Sequence, residues 1–405
     1  VLAFVDGLTR GLSQVAMDFD LIVVGAGPAG STLAREMARQ GARVLLLDRA
    51  RFPRDKPCGG GVTLRAARLL DLDLAPVIER TIFRVYFSFR HGHGFVRTYP
   101  EPLTYLTQRR RLDALLAQRA AEGGADFRDG VRVDGVEVAG GGLRVRAGPD
   151  FFQARTVVGA DGVNGVVGRA LGLAPSSHAA IALEGNLRCS DSALDRWRDL
   201  LVLDLGGLPG GYGWVFPKGD HVNVGVGAWR YLAPTLRGHL ADLCRQFGFS
   251  ETRLRDVRSH PLPMRRPGAP IVRGPALLVG DAAGLVDPLS GEGIYNAFLS
   301  AFLAAGALRA YLAGQAPDLA SYQRAVDREI MPDLLTSRRL QEIFHCTPTP
   351  YVAALRLSDC LWRSLCRIMR GDLSYSHFRH RLGIVRPLLD GWSEVARRRN
   401  ARRRP

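Results

Sequence analysis

Residues 19–49, FDLIVVGAGPAGSTLAREMARQGARVLLLDR, confine the chain to a small group of folds. Leu21 to Val24 run apolar without alternation, as a strand covered on both faces of a parallel sheet does. Alanines and leucines then recur at helical spacing as far as Ala38, and Gly41 stops the helix. Val44 to Leu47 form a second buried strand ending in Asp48. This is a complete βαβ unit whose turn carries Gly25, Gly27 and Gly30 in the G-x-G-x-x-G spacing. In such a turn the first glycine makes the bend, the second lets backbone approach a pyrophosphate, and the third permits close helix–strand contact. The pyrophosphate sits on the free N–H groups of the helix start, and an acid ending the second strand accepts from ribose hydroxyls. Asp48 occupies that position, so the unit predicts a dinucleotide site.

Two later turns are of the same kind. GADG, residues 159–162, follows an apolar strand at Thr156 to Gly159. GPALLVGDAAGLVDPLSGEGI, residues 274–294, has a buried strand at Ala276 to Val279 that ends in Gly280 and Asp281. Small residues and Pro288 follow, then a long apolar helix from about Gly291. An acid after a strand can hold a cofactor hydroxyl while neighbouring N–H groups meet an anion or a heterocycle. Between these turns the period changes. Residues 83–107 alternate and are aromatic, a helix is expected at about Arg111 to Ala121, and strands at Val131–Val138 and Leu143–Ala147. The block from about Ala179 to Trp229 is strand-rich, and HVNVGVGAW alternates strictly. After Ile330 the chain reads helical and arginine-rich, broken at HCTPTP.

The 405 residues suffice for two or three domains, and 46% hydrophobic with 23% charged residues is ordinary for a globular protein. Net charge is +16, with lysine only at Lys56 and Lys218. Such a surface suits an anionic membrane or a diphosphate-bearing ligand. No nucleic acid is expected, because the arginines are dispersed and no recognition module accompanies them. The basic tail RRRNARRRP, Arg397 to Pro405, reads as a frayed end rather than a binding module, though it would help hold the protein peripherally at an anionic membrane. Six scattered cysteines show neither CxxC nor zinc-finger spacing, so free thiols, no metal and a reducing cytoplasmic location are expected. His91, His93, His221 and His260 read as ordinary surface or core residues. The first residues lack a secretory pattern, and Met17 before the first strand suggests that 1–16 extend past the natural start. The uncharged run Gly293 to Leu308 spans 16 residues, short of the roughly 20 needed to cross a bilayer.

Two further segments discriminate. RDKPCGGGV, residues 54–62, places Cys58 before three glycines. PGGYGWVFP, residues 209–217, puts Tyr212, Trp214 and Phe216 on one strand face and satisfies P-x-x-Y-x-W-x-F-P throughout. With the glycine turns, they make residues 18–335 resemble the geranylgeranyl reductase family of FAD-dependent oxidoreductases, within the p-hydroxybenzoate hydroxylase-like flavoproteins. The resemblance implies an α/β chain (α+β taken whole), with a Rossmann-like FAD-binding domain, an inserted antiparallel-sheet substrate domain and C-terminal helices. It places FAD-binding parts at 17–82, 108–178 and 270–335. Substrate-domain parts fall at 83–107 and 179–269, and the helical region with its basic tail at 336–405.

The function so implied is reduction of C=C bonds in a geranylgeranyl or other polyprenyl chain carried by a diphosphate, pigment, lipid or menaquinone. Electrons come from NAD(P)H or another external donor, including an electron-donor protein; the sequence shows no second dinucleotide fingerprint. The implied cofactor contacts are Gly25, Gly27, Pro28, Ala29, Gly30, Asp48, Arg49, Gly59, Gly60, Arg109, Asp161, Gly280, Asp281, Pro288, Gly291 and Gly293. Tyr212, Trp214 and Phe216 are implied to line the cavity for a long-chain isoprenoid substrate. Cys58 is the candidate catalytic residue, either protonating the alkene or tuning the redox step, against the alternative that it only packs in a cofactor-covering loop. Two other functions share the framework: a flavin monooxygenase or halogenase, and an FAD-holding electron carrier without chemistry of its own.

Overall fold

The computed structural model describes residues 17–173, 178–189, 195, 197–381, 383 and 386–402. The proposed over-extension, 1–16, and the last residues of the basic tail lie outside them. Strand Phe19–Val24 is the centre of an eight-stranded sheet. It pairs in parallel with Val44–Leu47 on one side and with Asp150–Gly159 on the other. Asp126–Arg128 and Ala276–Leu278 extend the parallel array outward. Helix Pro28–Arg39 packs against Ile294–Leu312 and against Arg109–Glu122. The fully buried Leu21, Ile22, Leu45 and Leu46 explain why these strands read as unbroken apolar runs.

A seven-stranded sheet forms the second layer, with strands in the order 255–263, 178–188, 221–229, 213–217, 200–205, 84–89, 94–98. It is antiparallel except at one pair, where Leu200–Leu205 runs parallel to Arg84–Phe89. A three-stranded sheet, in the order Gly61–Thr63, Thr104–Thr107, Ile78–Ile82, brackets the 84–98 hairpin of the second layer in sequence.

Several boundaries move from their expected places. The helix expected at about 111–121 starts at Arg109, whose guanidinium pairs with Asp113 one turn later. The strand expected at 131–138 is confined to Gly135–Ala139, and the 156–159 strand begins at Asp150, where it first forms a hairpin with Gly142–Ala147. The apolar helix begins at Ile294 rather than near Gly291, whose φ of 70° breaks helical geometry.

The C-terminal helices fold back over the second sheet. Gln341, in helix Met331–Cys346, donates to Gly210 O (3.1 Å) and Pro288 O (2.6 Å). The Trp362 indole, in Asp359–Arg370, donates to Thr98 O (2.9 Å). No helix of the described residues is long and apolar enough to cross a membrane.

Candidate functional site: a glycine cradle opening into an apolar cavity

The first βα turn is shaped by contacts that only glycine permits. A Cβ on Gly25, at φ 103°, would lie 2.4 Å from Ala160 O; one on Gly30 would lie 1.9 Å from Gly25 O. At Gly27 the space is open, and the nearest atoms are the guanidiniums of Arg54 (3.8 Å) and Arg109 (4.0 Å). The second glycine thus faces a recess walled by two cations, the requirement for a pyrophosphate. Asp113, fully buried, holds both cations: Arg109 twice at 2.7 Å and Arg54 at 2.8 Å. Asp48 accepts from the N–H groups of Ala26 (2.8 Å) and Ala50 (2.9 Å), which fixes the strand end beside this recess.

Across the recess stands the 280–293 turn. Gly280, at φ 57°, is buried against Ala29 and Ala297 and serves close packing. Asp281 meets Lys56 at 3.2 Å and His260 at 3.8 Å. Burial alone would raise its pKa, yet Lys56 and His260 hold it well below the ordinary carboxylate range. Pro288, Gly291 and Gly293 line the space beyond. Arg65 is tied to Glu292, and the Tyr212 hydroxyl donates to Ser290 O.

Recess and turn open into one cavity of about 470 Å³, within the usual size of a small-molecule site. Its far wall is apolar: Phe87, Leu201 and Leu203 from the second sheet, and Phe344, Leu365 and Met369 from the C-terminal helices. Tyr212, Trp214 and Phe216 form one face, with successive ring centroids 6.1 and 6.2 Å apart. Trp214 pairs in register with Gly225, where a Cβ would lie 2.1 Å from its ring; the glycine lets the indole lie flat across the neighbouring strand. The indole N–H is satisfied by Asn223 Oδ1 at 2.8 Å.

The Cys58 loop sits between cradle and aromatic face. A Cβ on Gly59 would come within 2.9 Å of the Phe216 ring, and one on Gly60, at φ 71°, within 2.0 Å of Thr107 O. Cys58 is half-buried; its backbone N–H donates to Glu184 (2.6 Å), and its Sγ accepts from Gly60 N–H (3.3 Å). The buried Lys218 ammonium holds the loop from behind by donating to Gly59 O and Thr107 O. Burial lowers the Lys218 pKa to about 8. Replacing Lys218 by alanine leaves two buried carbonyls unpaired, so urea denaturation should show a loss of about 2 kcal/mol. A midpoint equal to wild type would mean that the amine does not anchor the loop.

Six expected contacts do not line the cavity: Gly25, Gly30, Asp48 and Gly280 shape the turns behind it, and Arg49 and Asp161 also stand outside the lining. The Asp161 Oδ2 accepts from Val166 (2.6 Å) and Val167 (3.0 Å), capping the helix Val166–Ala170, and Gly162 takes the wall position. Arg49 is exposed past the strand end, away from the cavity. Conversely, Arg54, Lys56, Glu184, Lys218 and His260 surround the site without having been singled out for it. The signal for two of them was present, since the only lysines in a chain with 55 Lys and Arg both stand here. Among the described residues one set of metal-capable side chains, His91, His239 and Asp242, converges to within 4.8 Å; it lies off the cavity, with Asp204 and Arg245 beside it.

The sequence profile of the family described as "FAD binding domain" matches residues 18–199. The menaquinone reductase of Mycolicibacterium smegmatis is 35% identical over 68% of this chain and 72% of its own. The chloroplastic geranylgeranyl diphosphate reductase of Oryza sativa subsp. japonica is 31% identical over 80% and 74%. The chain belongs to the geranylgeranyl reductase family of FAD-dependent oxidoreductases. A geranylgeranyl bacteriochlorophyll reductase-like protein from Thermoplasma acidophilum has the same fold, with TM-score 0.70 and 24% identity over 89% of this chain and 93% of its own. So does a flavin-dependent brominase, with TM-score 0.71 and 21% identity over 87% and 93%.

As a member of this family the reductase binds FAD, and the residues present suit it. The open face at Gly27, between Arg54 and Arg109, would accept a pyrophosphate, and Asp48 would be the group to hold a ribose hydroxyl. The glycine turns at 59–61 and 291–293 both line the cavity and would flank the cofactor's ring system there.

Proposed function

We propose that this reductase saturates C=C bonds of a geranylgeranyl or other polyprenyl chain. The observation that carries the reading is the continuity of the cradle with an apolar cavity faced by Tyr212, Trp214 and Phe216. Such a cavity holds a long hydrocarbon by area burial, at roughly 25 cal/mol per Å², with few polar contacts. Bound FAD supplies the hydride. This chain's part is placement and exclusion of water: Gly59 and Gly60 permit close approach, while the aromatic face fixes the chain beside the loop. Cys58, at the cavity edge, is proposed to act on that reaction from the loop, either as a proton donor or by tuning the redox step. NAD(P)H or a donor protein is proposed as the external electron source, and the positive charge is proposed to favour peripheral contact with an anionic membrane.

Extraction of purified protein followed by mass spectrometry tests the occupant. FAD together with a long-chain isoprenoid is the expected result. FAD accompanied only by small aromatic compounds would favour the oxygenating or halogenating alternative, and no isoprenoid retention even after incubation with prenyl lipids would contradict the reading.

A further inference from the structure

The large cavity shares a wall with a second, small polar pocket of about 30 Å³, room enough for water. Lys56, Pro57, Cys58, Arg109 and Glu184 line both spaces. Of these, Glu184 is a carboxyl on an interior strand. It lies in His178–Arg188, where Ala182, Glu184 and Asn186 share a face by the two-residue period; Ala182 lines the large cavity and Asn186 the small one. Glu184 therefore stands where the wall passes from apolar to polar. It is 8% exposed and, among the described residues, forms no salt bridge within 4.0 Å; it accepts from the Cys58 N–H and also meets the Asn223 side chain.

We propose that Glu184 is the proton-loading group of this site, taking a proton from the small polar pocket and delivering it into the apolar cavity. The inference rests on the polyprenyl-reductase reading. Saturating an alkene requires a hydride at one carbon, from the reduced flavin as reductant, and a proton at the other. At Glu184 the O–H bond breaks as the second C–H bond forms, and the carboxylate left behind recovers its proton from water in the small pocket. The Cys58 loop then has a second duty, since its N–H orients the carboxyl toward the wall.

The electrostatics suit that cycle. Burial raises the Glu184 pKa to about 7, opposed by the Cys58 N–H and the Lys218 ammonium and assisted by Asp55. Around the small pocket stand also Lys56 and Arg109, with His221, Asp256 and Arg258 on the neighbouring strands. A group half-protonated near neutrality can both give and regain a proton. Other cavity groups are poorer donors: burial holds Tyr212 well above the ordinary phenol range and lowers His345 to about 3, leaving it a neutral imidazole.

Glu184→Gln keeps the shape and the acceptor for the Cys58 N–H. In the holoenzyme, prenyl saturation should fall about 100-fold and lose its pH limb near 7, with FAD content and dithionite reduction of the flavin unchanged. The second readout needs no turnover. A carboxyl whose folded pKa exceeds its unfolded value of 4.5 binds its proton more tightly when folded, so its contribution to stability declines as pH rises from 4.5 to about 7. The melting temperature of Glu184→Gln minus that of wild type should therefore increase across that window and then level off. Should Glu184→Gln fail to fold, Asp55→Asn removes a charge that raises the pKa and should move the pH limb downward. A wild-type rate and pH profile in Glu184→Gln, a stability difference flat with pH, or an unmoved limb in Asp55→Asn would overturn the proposal. Absence of prenyl reduction by the wild type itself would defeat the reductase reading and proton delivery with it, while the stability difference would still report whether Glu184 loads a proton.

Discussion

Gly30→Val is expected to yield protein that retains no FAD and unfolds at markedly lower denaturant. A Cβ at residue 30 would lie 1.9 Å from Gly25 O and 3.0 Å from the Ala160 Cβ, so the principal collision is with backbone that no side-chain rotation relieves. Helix Pro28–Arg39 would have to lift from strand Phe19–Val24, carrying the N–H groups of the helix start away from the phosphate position. Overpacking typically costs about 1–3 kcal/mol, and a collision with fixed backbone belongs at the upper end. Gly27→Ala separates folding from binding: its Cβ would come no closer than 3.8 Å to the Arg54 and Arg109 guanidiniums, so the denaturation midpoint should hold, yet it would project into the recess and should lower FAD content. Flavin absorbance per mole of purified protein checks both variants. Full FAD content in Gly30→Val would mean that the cradle is not the cofactor site.

Trp214→Ala should leave FAD in place and remove the substrate. The indole is buried, lies between Tyr212 and Phe216, and covers Gly225. Deleting such a ring costs about 3–5 kcal/mol in packing or binding. If about 3 kcal/mol of that is lost from chain placement, kcat/KM for prenyl reduction falls about 100-fold. Trp214→Phe should recover part of the loss, because it restores apolar area without the bond to Asn223. Equal kcat/KM in wild type and Trp214→Ala would remove the aromatic face from substrate placement.

How far the site could be read beforehand depended on whether its residues act locally. Gly25, Gly27, Gly30 and Asp48 work within one βαβ unit, so spacing alone brought them together. Tyr212, Trp214 and Phe216 share a face through the strand period, although the need for Gly225 opposite Trp214 became visible only with the register. For Asp161 the local pattern is ambiguous, because a cap and a ligand-binding acid look alike, an acid in a glycine turn before a helix; the fold shows its Oδ2 in the capping role. Arg109 stands in a run of three arginines; its pairing with Asp113 distinguishes it from Arg111, which turns to Glu79 and the Pro76 carbonyl. Glu184, Lys218 and the cavity-lining C-terminal helices reach the site from more than 100 residues away from Cys58, and no periodicity links such partners.

The central claim is that the flavin site and the aromatic cavity act together on a prenyl chain. An anaerobic single turnover tests it most directly: photoreduced protein is mixed with a geranylgeranyl or menaquinone-type substrate, and flavin absorbance and product mass are followed together. The flavin should reoxidise without oxygen as the product gains two hydrogens for each flavin consumed. Flavin that stays reduced until oxygen is admitted, with substrate mass unchanged, would contradict the claim.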